Sequence, residues 1–228
     1  HGATGFYDLI DEGYLPEAII NYIALLGWCP KDNQEIFTLK ELEKAFDISG
    51  ISKSPAVFDY DKLSWFNGEY IKAMTPEKFT EVAMPYYKKV FGDKQMPYEK
   101  FAAILQKRTT QLTQIPEMLD FFAELPSYTK ELFVNKKSKT NLENSPVVLK
   151  EAYDRLKAMP EWNETSIHDC LINMAVEKEL KNGTVMWPVR IAAAGKTVTP
   201  GGAVEILDIL GRDESLARLE KGMAILAE

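Results

Sequence analysis

The amino-acid sequence predicts an all-α protein built of helical bundle subdomains, and three observations support this prediction. Pro, Ser, Thr, Asn or Asp repeatedly precedes a run of apolar residues spaced three and four apart, which is the pattern of a capped amphipathic helix. No alternation of apolar and polar residues extends beyond four or five positions, so the sequence does not predict a sheet. Internal repeats and low-complexity tracts are also absent, which excludes a solenoid.

Helix-start signals punctuate the first half of the chain. Pro16 stands at the first turn of a helix that we expect to end near Gly27. Thr38 and Glu41 are three residues apart and predict a capping box at the start of the next helix. The three helices that follow are expected to begin at Asp59, at Thr75-Pro76 and at Pro97. We expect the last of them to continue as far as Gln114.

The second half continues the helical pattern around one connector. Segment 125–144 contains few apolar residues, and we expect a partly exposed connector there. Segment 196–202 is rich in turn-forming residues and separates an apolar helix from the acidic C-terminal region. The expected helices lie at 115–125, after Asn144-Ser145-Pro146, after Asn163 or Thr165, and at 183–195, 203–211 and 213–227.

Composition excludes several classes of protein. The 228 residues include 27 Lys and Arg against 34 Asp and Glu, which gives a formal net charge of −7. Two cysteines, Cys29 and Cys170, cannot build a disulfide framework or a cysteine-based zinc site. Because no uncharged apolar stretch is long enough to cross a bilayer and no secretory signal opens the chain, we expect a cytoplasmic protein with no membrane contact. The acidic balance argues against general adhesion to nucleic acids, and DNA is not an expected partner.

The inventory of catalytic residues is short. The two histidines are His1 and His168, and the chain contains none of the common motifs for serine hydrolases, zinc peptidases or nucleotide binding. His168 falls in a helical pattern, where a surface histidine is favoured over a catalytic one. Cys170 is two residues further along that helix and points to another side, so a catalytic or metal-binding pair is not predicted. A small helical hydrolase centred on His168 is therefore a weak alternative.

Charge is unevenly distributed along the chain. Residues 88–108 carry five lysines and Arg108 against Asp93 and Glu99, whereas the last 25 residues are acidic. The middle of the chain is thus basic, although solvated helix faces would explain this pattern as well.

Three sequence blocks resemble a known family. They are His1-Gly2-Ala3 followed by GYLPEAIINYIALLGW, the block KLSWFNGEYI at 62–71, and WPVRIAAAGKTVTPGGAVEILDILG at 187–211. In this order and spacing they resemble the C-terminal half of bacterial-type glutamyl-tRNA synthetases, which are class I enzymes. The first block alone also resembles the glutaminyl enzymes.

The resemblance implies a chain that starts just after the family's lysine-bearing loop and lacks the catalytic half. The full enzyme attaches glutamate to tRNA with ATP and Mg²⁺, through HIGH-type and KMSKS-type motifs that this sequence does not contain. We therefore expect no cofactor and no metal in this chain, and no aminoacylation by it alone. His1 would lie at the edge of the absent loop.

Three sections and one partner are implied. Residues 1–73 resemble the stem-contact section, 74–125 the first helical anticodon-binding section, and 126–228 the second, which is of the α-helix cage type. The expected partner is glutamate tRNA, and the chain is expected to be a monomer. The alternative function is a stand-alone helical protein-interaction module, which would bind a protein instead of RNA.

Arg108 is the first candidate RNA-binding residue. An arginine at the matching position of the family, eight residues before the proline matched by Pro116, faces the third anticodon base. That base is C in glutamate tRNAs and G in glutamine tRNAs, and a guanidinium can donate to the O2 and N3 acceptors of an unpaired C. An exposed helix-end arginine or a phosphate contact is the alternative.

Arg190 is the second candidate, because all its neighbours in MWPVRIAAAG are apolar or small. A charge in such a stretch is costly unless it is paired or faces a ligand. Family members carry an arginine here that reaches the anticodon; a buried ion pair with the acidic tail is the alternative. The Thr199-Pro200-Gly201 turn resembles the family's base-reading turn, but Gly202 replaces a bulkier apolar residue found in some members. Trp187 could stack on a base, yet an aromatic core residue is favoured, as it is for Trp65.

The remaining candidates would contact the RNA backbone without sequence selectivity. In KLSWFNGEYI, Lys62 and Asn67 are candidates for the tRNA stem. Lys136, Lys137 and Lys139 in the connector are candidate phosphate contacts.

Overall fold

The computed structural model describes residues 5–228. His1, with the expectation attached to it, and the His1-Gly2-Ala3 start of the first sequence block lie outside the described residues.

The predicted all-α class is confirmed. Residues 5–228 form twelve α-helices and contain no strand, only two isolated bridges, Trp28 with Ile51 and Asn135 with Thr140. The α-helices are α1 Phe6–Asp11, α2 Pro16–Gly27, α3 Leu39–Ala45, α4 Tyr60–Ala73, α5 Pro76–Phe91, α6 Tyr98–Leu105, α7 Ile115–Ala123, α8 Asn144–Ala158, α9 Glu164–Glu177, α10 Asn182–Ala194, α11 Ala203–Leu210 and α12 Arg212–Ala227. Short 3₁₀ turns lie at Ile48–Gly50, Leu112–Gln114 and Lys130–Phe133. None of the described helices is long and apolar enough to cross a membrane.

Most predicted helix starts are confirmed by their caps. The Thr38 hydroxyl accepts from the Glu41 N–H at 3.2 Å, and the Glu41 carboxylate accepts from the Thr38 N–H at 2.7 Å, which completes the capping box. Of the two candidates for the start of α9, the N-cap is Asn163, whose side chain accepts from the Ser166 N–H at 2.9 Å. Helix α1 was not predicted, because its six residues are too short to show a periodic pattern.

The helix predicted from Pro97 to Gln114 is wrong in its second half. Helix α6 ends at Leu105, and the chain turns before the 3₁₀ segment Leu112–Gln114. Thr109 is fully buried and its hydroxyl donates back to the Leu105 carbonyl at 2.9 Å. A β-branched residue whose hydroxyl competes for backbone partners is poorly suited to a helix interior, which favours the turn.

The chain divides into two compact units, and the first comprises the residues up to Lys94 together with Leu105–Glu117. Helices α2 and α4 pack against each other in its core, which contains the buried side chains of Leu9, Tyr14, Ile19, Tyr22, Leu63 and Phe66. Trp65 is 44% exposed on the outer side of α4, so the prediction that it is a core residue is wrong. Its neighbour Phe66 fills that position instead, because a helix turns by about 100° per residue.

The second unit comprises Gln95–Ile104 and the residues from Met118 onward, and α10 lies at its centre. Helices α8, α9, α11 and α12 all pack against α10. Small side chains make this possible: a Cβ atom on Gly222 of α12 would lie only 2.6 Å from the Cβ of Ala192. The alanine run that the sequence places after Arg190 is therefore a close helix-packing surface.

The segment expected to be a partly exposed connector is well ordered by hydrogen bonds and packing. Phe133 is fully buried, and residues 135–140 form a tight turn. The turn is closed by paired backbone hydrogen bonds between Asn135 and Thr140 of 3.1 and 3.0 Å. Many of the polar residues in this segment are turn formers, and their hydrogen bonds hold the segment in place without a regular helix.

Candidate RNA-binding residues

Arg190 lies in the last turns of α10, and its guanidinium extends toward the following loop. One terminal nitrogen donates to the Thr197 carbonyl at 2.9 Å, and the other donates to the Thr199 hydroxyl at 3.3 Å. The Thr199 hydroxyl in turn donates to the Gly201 carbonyl at 2.7 Å. Arg190 therefore holds the 197–201 loop against the end of its own helix.

The Arg190 guanidinium also lies over the ring of Trp187, with its central carbon 4.7 Å from the ring centroid. The two residues are three positions apart on α10 and are therefore neighbours on one helix face. The indole N–H of Trp187 donates to the Leu132 carbonyl at 2.9 Å. Trp187 is half-buried, so the expectation of a core residue holds only in part.

Burial lowers the pKa of Arg190, but an arginine remains charged in proteins. No carboxylate among residues 5–228 forms an ion pair with it. The alternative interpretation of Arg190 is an ion pair with a carboxylate of the acidic C-terminal region. It is Arg218 that forms such a pair. That side chain is 4% exposed, pairs with Glu214 at 2.6 Å, and donates to the carbonyls of Phe121 at 2.7 Å and Ala193 at 2.9 Å.

The loop after α10 has a buried base and an exposed tip. Thr199, Pro200 and Gly201 are buried, and a Cβ atom on Gly201 would lie 3.2 Å from Ile104. Thr197 and Val198 form the tip, where Val198 is 84% exposed. Among the predicted turn residues, the Thr199 hydroxyl keeps one free acceptor lone pair. The tip residues Thr197 and Val198 face solvent, and the sequence did not single them out.

Arg108 lies in the first unit, in the turn that follows α6. Its side chain is exposed and forms no hydrogen bond or ion pair with any described residue. The turn itself is firmly held: the Gln106 amide donates to the carbonyls of Ile71 and Met74 at 3.0 and 2.7 Å, and Thr109 is fully buried. The backbone therefore presents Arg108 to solvent at a defined position.

Lys136, Lys137 and Lys139 project from the tight turn at 135–140 in the second unit. All three are exposed, and none of their ammonium groups has a partner within the described part of the chain. The turn is fixed to the first turn of α10, because the Thr184 hydroxyl donates to the Ser138 carbonyl at 2.7 Å. Three cations without a partner in the described part of the chain thus project from one hydrogen-bonded turn.

The two candidates on α4 differ in exposure. Lys62 is half-exposed and its ammonium group is 3.4 Å from the carboxylate of Glu35, a surface pair of small energetic value. Asn67 is fully buried, so the expectation that it approaches RNA is wrong. Its side chain accepts from the Leu15 N–H and donates to the carbonyls of Gly13 and Thr110.

His168 is an exposed residue, as predicted. Its ring Nδ1 lies 3.1 Å from the carboxylate of Asp169, and the two side chains are 55% and 63% exposed. Across residues 5–228 no group of three or more His, Cys, Asp or Glu side chains could hold a metal ion. Both partners of the contact between His168 and Asp169 are thus open to solvent, and His168 lacks the burial that would shift it toward catalysis.

Comparison with known proteins defines the class of protein to which the chain belongs. Residues 78–223 match the family described as the anticodon binding domain, and residues 5–65 match that of the catalytic domain of class I tRNA synthetases for E and Q. The first match covers well over half of the chain. The chain belongs to the anticodon binding domain family, and the matched region contains both candidate arginines and the lysine turn.

Individual relatives are glutamate–tRNA ligases. The chain is 50% identical over 223 residues to the glutamate–tRNA ligase of Clostridium kluyveri, covering 98% of this chain and 46% of that protein. The Clostridium tetani enzyme is 48% identical over the same length and coverage. The chain thus spans about half the length of the curated relatives it matches.

A solved structure agrees with this family assignment. The crystal structure of a glutamate tRNA ligase from Elizabethkingia meningosepticum, in complex with its amino acid, superposes with a TM-score of 0.81 at 29% identity. It covers 97% of this chain and 43% of the matched one. The resemblance carried by the three sequence blocks is confirmed.

Proposed function

We propose that this chain recognises the anticodon loop and inner stem of glutamate tRNA, as part of a glutamate–tRNA ligase. The observation that carries the proposal is Arg190, a partly buried cation with no carboxylate partner among the described residues, inside a family match described as an anticodon binding domain. Of the five N–H donors of a guanidinium, two bond the loop at Thr197 and Thr199. The other three remain for the edge of a splayed base.

Arg108 is the proposed reader of the third anticodon base. Its guanidinium is exposed and has no partner among residues 5–228, which supports a contact with the O2 and N3 acceptors of cytosine. A guanine in the same place is larger and presents N–H donors on its Watson–Crick edge, which would face the donors of the arginine. A good bidentate contact of this kind discriminates by about 1–3 kcal/mol.

Backbone contacts are proposed for the four lysine candidates. Lys136, Lys137 and Lys139 have no partner among the described residues, and the turn that carries them is closed by backbone hydrogen bonds, so the backbone is already ordered before they meet phosphates. Lys62 would have to leave its weak pair with Glu35. Thr199, Pro200 and Gly201 would act through the shape of the loop and through the remaining acceptor of the Thr199 hydroxyl.

The domain division proposed for this function is a stem-contact section at 1–73 and two anticodon-binding sections at 74–125 and 126–228. In the full-length ligase, ATP and Mg²⁺ would be used by the catalytic half, as in other class I synthetases. We further propose a cytoplasmic, monomeric ligase for which glutamate tRNA is the partner. This chain alone would bind tRNA without charging it.

The test is a binding measurement with two tRNAs that differ in one base. We expect the 228-residue chain to bind glutamate tRNA at physiological salt more tightly than the same tRNA carrying G as its third anticodon base. Arg108→Gln should remove most of that difference. Lys107→Gln, on the same exposed turn, is the matched control and should weaken the binding of both tRNAs by the same factor. Equal affinity of the wild-type chain for the two tRNAs would reject Arg108 as the reader, and equal affinity for an unrelated tRNA would reject anticodon recognition.

A further inference from the structure

We propose that Trp187 is a positioning residue that orients the Arg190 guanidinium for base contact, an inference that rests on the proposed function. The sequence pattern points to the arginine as the base contact and favours a core position for Trp187. The structure adds the indole ring three residues before it, with the guanidinium carbon 4.7 Å from the ring centroid. A guanidinium over an aromatic face is attracted by the ring quadrupole and by stacking.

Trp187 is itself held in one orientation. Its indole N–H donates to the Leu132 carbonyl at 2.9 Å, within the 3₁₀ turn Lys130–Phe133. The fully buried Phe133 fixes that turn to the unit. The ring therefore cannot change rotamer without breaking a hydrogen bond, and it offers a fixed surface to Arg190.

The ring and the loop together restrain the guanidinium. Its central carbon lies over the Trp187 ring, while the Thr197 carbonyl and the Thr199 hydroxyl each accept from one terminal nitrogen. A free arginine side chain loses much rotamer freedom when it binds a ligand, and a side chain that is already held loses less. Trp187 would therefore raise affinity without touching the RNA.

A purely structural role for Trp187 makes a different prediction, and Trp162 provides the comparison. Trp162 is also half-buried in the second unit, and its indole N–H donates to the Leu207 carbonyl at 3.1 Å. No arginine or lysine in the described residues lies over its ring. If the loss of any such tryptophan merely loosens the fold, the two leucine variants should behave alike.

The experiment measures the affinity of the 228-residue chain for glutamate tRNA, with thermal unfolding recorded in parallel. We expect Trp187→Leu to weaken binding by about three- to thirtyfold. Trp187→Phe should restore most of the affinity, because it keeps an aromatic face under Arg190 although it loses the bond to Leu132. Trp162→Leu should bind like the wild type. Equal weakening by Trp187→Leu and Trp162→Leu would overturn the inference.

A double-mutant cycle separates positioning from direct stacking of Trp187 on a base. In an Arg190→Ala background, Trp187→Leu should cause no further loss of affinity, because the residue acts through the arginine. A further loss of the same size would overturn the inference in favour of direct contact. The proposed function fails separately, if the wild-type chain does not bind glutamate tRNA or if Arg190→Ala leaves its affinity unchanged.

Discussion

The side-chain amide of Asn67 donates to the main-chain carbonyl of Thr110 at 2.6 Å, which fastens α4 to the segment that bears Arg108. The neighbouring Gly68 allows this approach, since a Cβ atom there would lie 3.3 Å from the Thr110 methyl group. The Asn-Gly pair of the second sequence block is therefore explained by packing within the first unit.

Replacing Asn67 with Ala should lower the free energy of unfolding by about 3 kcal/mol, because the Leu15 N–H and the Thr110 carbonyl would lose their partner in a buried setting. Chemical denaturation measures this change. The matched control is Asn182→Ala, an exposed asparagine for which we expect a change within about 0.5 kcal/mol. Similar values for the two variants would show that the Asn67 hydrogen bonds do not stabilise the unit.

Two arginines of the second unit, Arg190 and Arg218, should separate stability from binding. Arg218→Met removes the donors to the Phe121 and Ala193 carbonyls and should lower the free energy of unfolding by about 2–4 kcal/mol. Arg190→Met should change stability less, because one of its two loop partners, Thr197, is exposed to water, and it should weaken tRNA binding instead. Denaturation and tRNA titration of both variants check this assignment, and the reverse ranking of the two unfolding free energies would contradict it.

Alkaline pH should destabilise the second unit through Tyr128. Burial raises the pKa of this phenol to about 12, whereas in the unfolded chain it ionises near its ordinary value of 10. Between these values the unfolded state binds fewer protons, so stability falls as pH rises from about 10 to about 12 and is unaffected below that window. Tyr128→Phe should flatten the stability curve there, as measured by denaturation at several pH values. The exposed Tyr7→Phe is the control for loss of a phenol, and an unchanged slope in the Tyr128 variant would be the contrary result.

The lysine turn should contribute affinity without selectivity. Replacing Lys136, Lys137 and Lys139 together with Gln should weaken binding of glutamate tRNA and of its third-base variant by the same factor. The slope of log affinity against log salt should fall by about 0.7 for each phosphate that is no longer neutralised. A triple Gln variant of the exposed Lys150, Lys178 and Lys221 controls for the change in net charge. A selective loss for one of the tRNAs would show that the turn reads bases.

Local signals in the sequence predicted most helix starts, because caps and first-turn prolines act over three or four residues. They failed for the helix after Pro97, where the apolar spacing continues but the chain turns. That turn is stabilised by the burial of Thr109 and by the hydrogen bonds from the Gln106 amide to two carbonyls. The two carbonyls lie at the end of α4, 35 and 32 residues away in the chain, so no local signal reports them. Trp65 was assigned to the core for a similar reason, since periodicity alone does not say which of two adjacent aromatic residues faces inward.

The sequence by itself determined the helical class, the family resemblance and the unusual setting of Arg190, because these depend on residue type and local spacing. Tertiary structure decided how the charges of Arg190 and Arg218 are balanced. Arg218 pairs with Glu214 one helical turn before it and also donates to carbonyls of α7 and α10, whereas Arg190 lies over Trp187 and donates to the following loop. A charge in a low-dielectric setting must be balanced by whatever the fold brings within a few ångströms, and only the folded chain brings the Phe121 and Ala193 carbonyls to Arg218.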